Sequence, residues 1–154
     1  MPTTPSPFTR KPPAAPTVAQ LIRFGAREFD AAGLAYGHGT LDAKDDAAAL
    51  VFHALGLDHA DAGTAYTVKP GKPQVEQVLG LFAERLRRGV PVAYRLGRMW
   101  FAGLDFVVDP RVIVPRSPFA ELIARGFAPW IDSARVLRIV VLGTGSGCIA
   151  IACA

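Results

Sequence analysis

Three alternate glycines, Gly143, Gly145 and Gly147, follow the apolar run Val136-Leu137-Arg138-Ile139-Val140-Val141-Leu142 and precede Cys148-Ile149-Ala150-Ile151-Ala152-Cys153-Ala154. A tight turn from strand to helix needs backbone at positive φ and close approach to a ligand, and glycine supplies both without steric cost. The N–H groups opening the next helix, with the positive end of its dipole, favour a phosphate or carboxylate. The chemistry suggested is nucleoside-cofactor binding by Gly143, Thr144, Gly145, Ser146 and Gly147. A dinucleotide fingerprint would need Gly or Ala where Cys148 stands, and a phosphate loop would need Gly-Lys-Ser/Thr, so G-x-G-x-G fits neither well. A glycine turn without a ligand stays open as the alternative.

Other reactive residues carry less. His38, His53 and His59 have no Cys or carboxylate at ligand spacing, so they read as ordinary surface or packed histidines and no metal site is expected. Adjacent Asp45 and Asp46 point about 100° apart on a helix, which forbids a shared-proton dyad and suggests a solvated helix start. Cys148 and Cys153 form neither a disulfide framework nor a zinc pattern and read as buried thiols in a reducing compartment. Arg85, Arg87, Arg88, Arg95 and Arg98 read as a solvated face, with a ribosomal partner as the alternative. Trp100 and Phe101 are expected to fill packing, and Trp130 to be core or interface.

The glycine loop must be positioned by the elements before it. The first sixteen residues hold six prolines, which forbid a regular helix and suggest a flexible leader. Thr17 can cap a helix from Val18 to about Ala32, ending at Gly33, with Leu21, Ile22, Gly25 and Phe29 on one face. A second helix is predicted from about Leu41 to Leu55 and a third from about Gln74 to Arg88. The third carries the stripe Val75, Val78, Leu79, Phe82 and Leu86, with Glu84, Arg85, Arg87 and Arg88 off it. Between Trp100 and Val114, the runs Leu104 to Val108 and Arg111 to Val114 around Asp109-Pro110 predict a β-hairpin. Ser117 and Pro118 start another helix, to about Phe127. The run from Val136 to Leu142 reads as a parallel strand buried on both faces. Strand, glycine loop and helix together open a doubly wound nucleotide fold.

Residues 1–16 are thus a leader, 17–98 a helical domain, 99–116 a hairpin connector and 117–154 the start of a Rossmann-like domain, giving an α/β class overall. No apolar stretch reaches the roughly 18 residues that span a bilayer, so a soluble protein without a membrane partner is expected. The net charge of +4 suits an anionic partner. Without basic residues interleaved with stacking aromatics, direct nucleic-acid binding is not expected.

Pro91, Tyr94, Gly97, Phe101, Gly103, Phe106, Val108, Val112, Pro115 and Arg116, followed by Gly143 to Gly147, resemble the pattern of the S-adenosylmethionine-dependent protein-glutamine methyltransferases. Members of that family modify release factors or a large-subunit ribosomal protein, and the resemblance runs without a gap from residue 89 to 154. Release-factor enzymes read Pro-Arg-Pro-Asp-Thr-Glu after the hairpin. Pro115-Arg116-Ser117-Pro118 followed by Glu121-Leu122-Ile123 is closer to the branch acting on ribosomal protein three of the large subunit.

The resemblance implies methyl transfer from S-adenosylmethionine to a glutamine side-chain amide in the cytoplasm. It implies that the N-terminal helices recognise the protein substrate, that Gly143 to Gly147 lie under the methionine end of the cofactor, and that Arg116 helps to order the site; a solvent-facing Arg116 is the plain alternative. Two departures stand out. The family places an acidic residue where Val141 stands, and its Asn-Pro-Pro-Tyr motif, which holds the glutamine amide, would lie after Ala154. The chain alone is therefore expected to be inactive, with an exposed apolar strand edge that invites aggregation. The competing readings are a stand-alone helical binding module, the release-factor branch of the same family and, with the wrong glycine spacing, a nicotinamide-dependent enzyme.

Overall fold

The structure, a computed structural model, describes residues 6–58 and 62–154. His59 lies outside the described residues, as do the first five of the leader. The chain divides into two compact units, 1–92 and 93–154.

In the first unit, α1 (Val18–Ala31) opens with a reciprocal cap: the Gln20 N–H donates to Thr17 Oγ1 at 3.3 Å, and the Thr17 N–H donates to Gln20 Oε1 at 2.8 Å. Two further N–H groups of its first turn, on Val18 and Ala19, donate to the carbonyls of Val68 and Tyr66 at 2.9 and 3.1 Å. Helix α2 (Ala43–Leu55) starts two residues later than expected, because Asp42 takes the cap position and accepts the Asp45 N–H at 2.9 Å; Gly56, in the left-handed region, ends it. A single-turn helix, α3 (Ala62–Ala65), was not anticipated. Helix α4 (Lys72–Arg88) starts two residues early, since Pro73 suits a first turn whose N–H groups lack intrahelical partners anyway.

The expected stripes meet in one core. Leu21, Ile22 and Phe29 of α1, Leu50, Val51 and Phe52 of α2, and Val78 and Phe82 of α4 are buried. Phe29 and Phe82 meet edge to face with centroids 5.3 Å apart. A Cβ at Gly25 would stand 2.5 Å from the Phe82 ring. Gly25→Ala is therefore expected to overpack this fully buried contact and cost about 1–3 kcal/mol; urea unfolding measures it, and an unchanged midpoint would contradict the packing argument.

Two charged residues expected in solvent are inside. Arg85 and Asp46 are both buried: Arg85 Nε lies 2.9 Å and Nη2 2.8 Å from Asp46 Oδ2, Nη2 donates to the Ala35 carbonyl at 3.0 Å, and the Thr40 hydroxyl donates to Asp46 Oδ1. Asp45 stays at the surface end of the helix, as a 100° step from Asp46 requires. The Tyr36 hydroxyl nearby is buried without a hydrogen-bond partner among the described residues. Burial first, then the Asp30 and Asp46 carboxylates, push its pKa up to about 12.

The second unit holds the hairpin, in a different register from the one expected. Helix α5 (Val92–Leu96), at the junction, precedes β1 (Arg98–Phe101), which pairs antiparallel with β2 (Leu104–Val107), Arg98 opposite Val107 and Phe101 opposite Leu104. The turn is Ala102-Gly103, both at positive φ, as a two-residue hairpin turn demands. Arg111 to Val114 is not a strand. The Asp109 carboxylate accepts the Arg111 N–H at 2.9 Å and pairs with its guanidinium, turning the chain after Pro110; these Arg111 bonds hold the Asp109 pKa at about 2. Phe101 points inward, as expected, whereas Trp100 on the opposite face of the pleat is exposed.

Helix α6 (Phe119–Ala124) stops three residues before the expected end. The Phe127 N–H reaches the Leu122 carbonyl at 2.8 Å and the Gly126 N–H the Ile123 carbonyl at 3.0 Å, a Schellman termination with Gly126 left-handed. The expected buried strand at 136–142 is unpaired: among the described residues the sheet has two strands, both in the hairpin, and Leu137, Val140 and Leu142 are 93, 83 and 90% exposed. A β-branched run becomes a ladder only beside another strand that takes its N–H and C=O groups. Trp130 is exposed as well. Helix α7 (Cys148–Ala152) follows the glycine loop, with Cys148 buried and Cys153 half-buried.

Candidate cofactor site

Gly143, Gly145 and Gly147 have φ of 68, 57 and 78°, all in the left-handed region that disfavours residues with a Cβ. Space does not demand glycine here. Nothing stands within 4 Å of a Cβ at Gly143, and at Gly145 and Gly147 a Cβ would make ordinary contacts of 3.8 Å with Ile113 and Ile151. The loop is closed by its own backbone: the Gly147 N–H donates to the Thr144 carbonyl at 2.9 Å, and the Ile151 N–H to the Gly147 carbonyl at 2.9 Å. The Thr144 hydroxyl donates to the Val141 carbonyl at 3.4 Å. Thr144 and Gly145 are exposed, while Ser146 and Gly147 are half-buried.

What holds the loop is Cys148, the residue after its last glycine. Cys148 is buried in one cluster with Ala93, Phe101, Phe106, Val108 and Val114. The hairpin therefore fixes the helix end of the loop through side-chain packing, and the Tyr94 hydroxyl, donating to the Val112 carbonyl at 2.7 Å, fixes the segment beside it. Arg116 is exposed just past buried Val114 and Pro115. The loop and this segment are thus tied to one cluster, which brings Ile113 beside Gly145.

The loop's surroundings bear on what it can hold. Backbone N–H groups at the start of a helix donate to a carboxylate or phosphate, so the exposed loop main chain could hold the anionic end of a nucleoside cofactor. Val141 offers only its carbonyl, and that faces Thr144. No carboxylate stands at that position to accept bonds from a hydroxyl or ammonium. Among the described residues no cluster of His, Cys, Asp or Glu could hold a metal ion, and no helix is long and apolar enough to cross a membrane.

No protein-family model matches the chain. Known proteins do. It is 50% identical over 137 residues to the ribosomal protein uL3 glutamine methyltransferase of Xanthomonas campestris, 44% over 138 residues to that of Bordetella pertussis, and 38% over 136 residues to that of Neisseria meningitidis. The chain is homologous to the uL3 glutamine methyltransferases. Each match covers 88% of this chain and 44–46% of the relative, so the chain spans about half the length of these methyltransferases. A match of 137 residues is longer than either compact unit, so the likeness takes in part of both.

Reading the sequence for reactive groups missed two contributors. One is Cys148, expected as a buried thiol and found buried, whose packing also anchors the loop. The other is Glu28, buried at 1% exposure, which accepts from the Thr9 N–H, the Thr9 hydroxyl at 3.0 Å and Arg10 Nη1 at 3.1 Å. Its signal was present: position 28 falls on the apolar face that carries Leu21 and Gly25. Burial alone would raise the Glu28 pKa, but the Thr9 N–H, Arg10 and the Thr9 hydroxyl together hold it below the usual carboxylate range. Residues 8–10 of the Pro-rich segment, expected as a flexible leader, are fixed to α1, with Phe8 also meeting Phe24 at a centroid distance of 5.3 Å.

Proposed function

We infer that the chain is the N-terminal portion of a methyltransferase that moves a methyl group from S-adenosylmethionine to the side-chain amide nitrogen of a glutamine in large-subunit ribosomal protein uL3. The observation that carries this is the loop of three left-handed glycines, anchored by Cys148, in a chain homologous to enzymes of that name. S-adenosylmethionine, when bound, supplies the activated methyl group. Gly143, Thr144, Gly145, Ser146 and Gly147 hold its methionine end through main-chain N–H groups, and Arg116 helps to order that end of the site. The finer fold is the opening of a doubly wound domain at 117–154, joined by the connector 99–116 to a substrate-recognising helical domain at 17–98. The protein works in the cytoplasm.

An amide nitrogen is a poor nucleophile, so a site that methylates it must position it by hydrogen bonds to its carbonyl and N–H groups. The chain contains no asparagine, so the Asn-Pro-Pro-Tyr motif is not among its 154 residues. A second reading, a helical module that binds its protein partner alone, is favoured by the closed core of the first unit.

Calorimetric titration of the 154-residue chain with S-adenosylmethionine is expected to give binding weaker than micromolar. Val141→Asp, restoring one charge-assisted hydrogen bond of about 1.5–3 kcal/mol, is expected to tighten it about tenfold or more. Micromolar affinity in the unaltered chain, or no response to Val141→Asp, would contradict this account of the site.

A further inference from the structure

Docking of the leader on α1 builds a basic cleft. Arg10 and Lys11 from the leader and Arg23 and Arg27 from α1 line a cavity of about 410 Å³, with the Gln20 amide beside them. Arg23 and Arg27 are one turn apart and so share a face. They are exposed, as is Lys11. The leader cations stand there because the buried Glu28 carboxylate takes both donors of Thr9, and Arg10 Nη1 also reaches the Arg27 carbonyl at 3.5 Å. Part of the Arg10 charge is met by Glu28. The cavity lining contains no acidic residue.

We propose that this cleft, Arg10, Lys11, Arg23 and Arg27 around Gln20, binds the phosphate backbone of RNA. Guanidinium groups match phosphate oxygens in bidentate geometry. Phosphate neutralisation needs charge and little else, whereas a folded protein partner needs a buried apolar anchor at the centre of its contact. The cleft offers almost none: Phe24 is buried beneath Phe8, and Pro13 is half-buried. Arg10-Lys11 and the Arg23, Arg27 pair lie twelve or more positions apart in sequence and meet only through the fold, so no single basic segment announces the cleft. The contact is independent of methyl transfer and of cofactor affinity.

The test is fluorescence anisotropy of a labelled, mixed-sequence single-stranded RNA of about twenty nucleotides, longer than the roughly 4–16 nucleotides a small domain covers, with the whole 154-residue chain. Lys11, Arg23 and Arg27 together give a slope of log affinity against log salt of about −2, a loss of roughly twentyfold between 50 and 200 mM salt. Arg23→Gln with Arg27→Gln is expected to bring the slope to about −0.7. Arg87→Gln with Arg88→Gln, the same charge removed elsewhere, leaves it unchanged. Thr9→Pro deletes the two Thr9 donors to Glu28 without altering charge and lies outside every helix; it is expected to reduce the slope by about 0.7 as Lys11 leaves the cleft. Absence of RNA binding overturns the proposal. So does an equal response to the two arginine pairs, an unchanged slope in Thr9→Pro, or competition by poly-L-glutamate as strong as by unlabelled RNA, which would mark an acidic protein site.

Discussion

Arg85→Ala is expected to lower the unfolding free energy by about 3–5 kcal/mol, the usual cost of removing one partner from a buried ion pair. The loss is large because Asp46 would stay inside the helical unit with its carboxylate facing an empty volume. The Thr40 hydroxyl would serve only one of its oxygens, and the Ala35 carbonyl would lose its donor. Asp46→Ala is expected to cost a similar amount by stranding the guanidinium. Replacing both residues by apolar side chains of similar size, Arg85→Met with Asp46→Leu, is expected to recover most of the loss, since no buried charge is then left uncompensated. Arg87→Ala, on an exposed neighbour, should stay within about 0.5 kcal/mol. Urea unfolding of the four variants decides the matter. A loss under about 1 kcal/mol for Arg85→Ala would show that water reaches the pair and that it is not a buried charge site.

The second large effect concerns association. Leu137, Val140 and Leu142 stand almost wholly in solvent along an unpaired, β-branched run, the pattern that templates pairing between chains. Leu137→Lys with Val140→Lys is expected to raise the concentration at which the chain self-associates by at least about a hundredfold. Each side chain forfeits about 1.5–3 kcal/mol of apolar burial in any such contact, and about 1.4 kcal/mol is a factor of ten. Sedimentation velocity across a concentration series measures the shift. The melting temperature of the helical unit should not change, because these side chains stand almost wholly in solvent. Self-association that persists unchanged in the double variant would place the sticky surface elsewhere.

How much of this was legible in the sequence depends on whether the deciding interaction was local. The Thr17 cap and the helix ends at Leu55 and Arg88 were legible because capping is settled within one turn, whereas Asp42 was read inside α2 and not as its cap. The hairpin was found but misplaced by several residues. Asp109-Pro110 is the stronger written turn, whereas Ala102 adopts positive φ, which alanine rarely does and which no sequence pattern announces. The length of α6 was missed for a related reason: two backbone bonds around Gly126 end it before the apolar pattern does.

Arg85, Asp46 and Glu28 were misread or overlooked because each is decided by a partner between nineteen and thirty-nine positions away. The glycine loop was legible as a left-handed turn. Its anchor was not, since nothing in the spelling of Cys148 shows that it will meet Phe101, Phe106 and Val114.

The close approach of α1 to Phe82 also bears on how the sequence can drift. Positions 25 and 82 occupy one shared volume, with a ring atom 2.5 Å from where the first side-chain carbon of residue 25 would be. A methyl can be accepted at 25 only if the aromatic at 82 gives way to something shorter, and the reverse change leaves a void rather than a clash. The two sites are therefore free to vary only as a pair, and the order of steps matters: the ring must shrink before the glycine can grow.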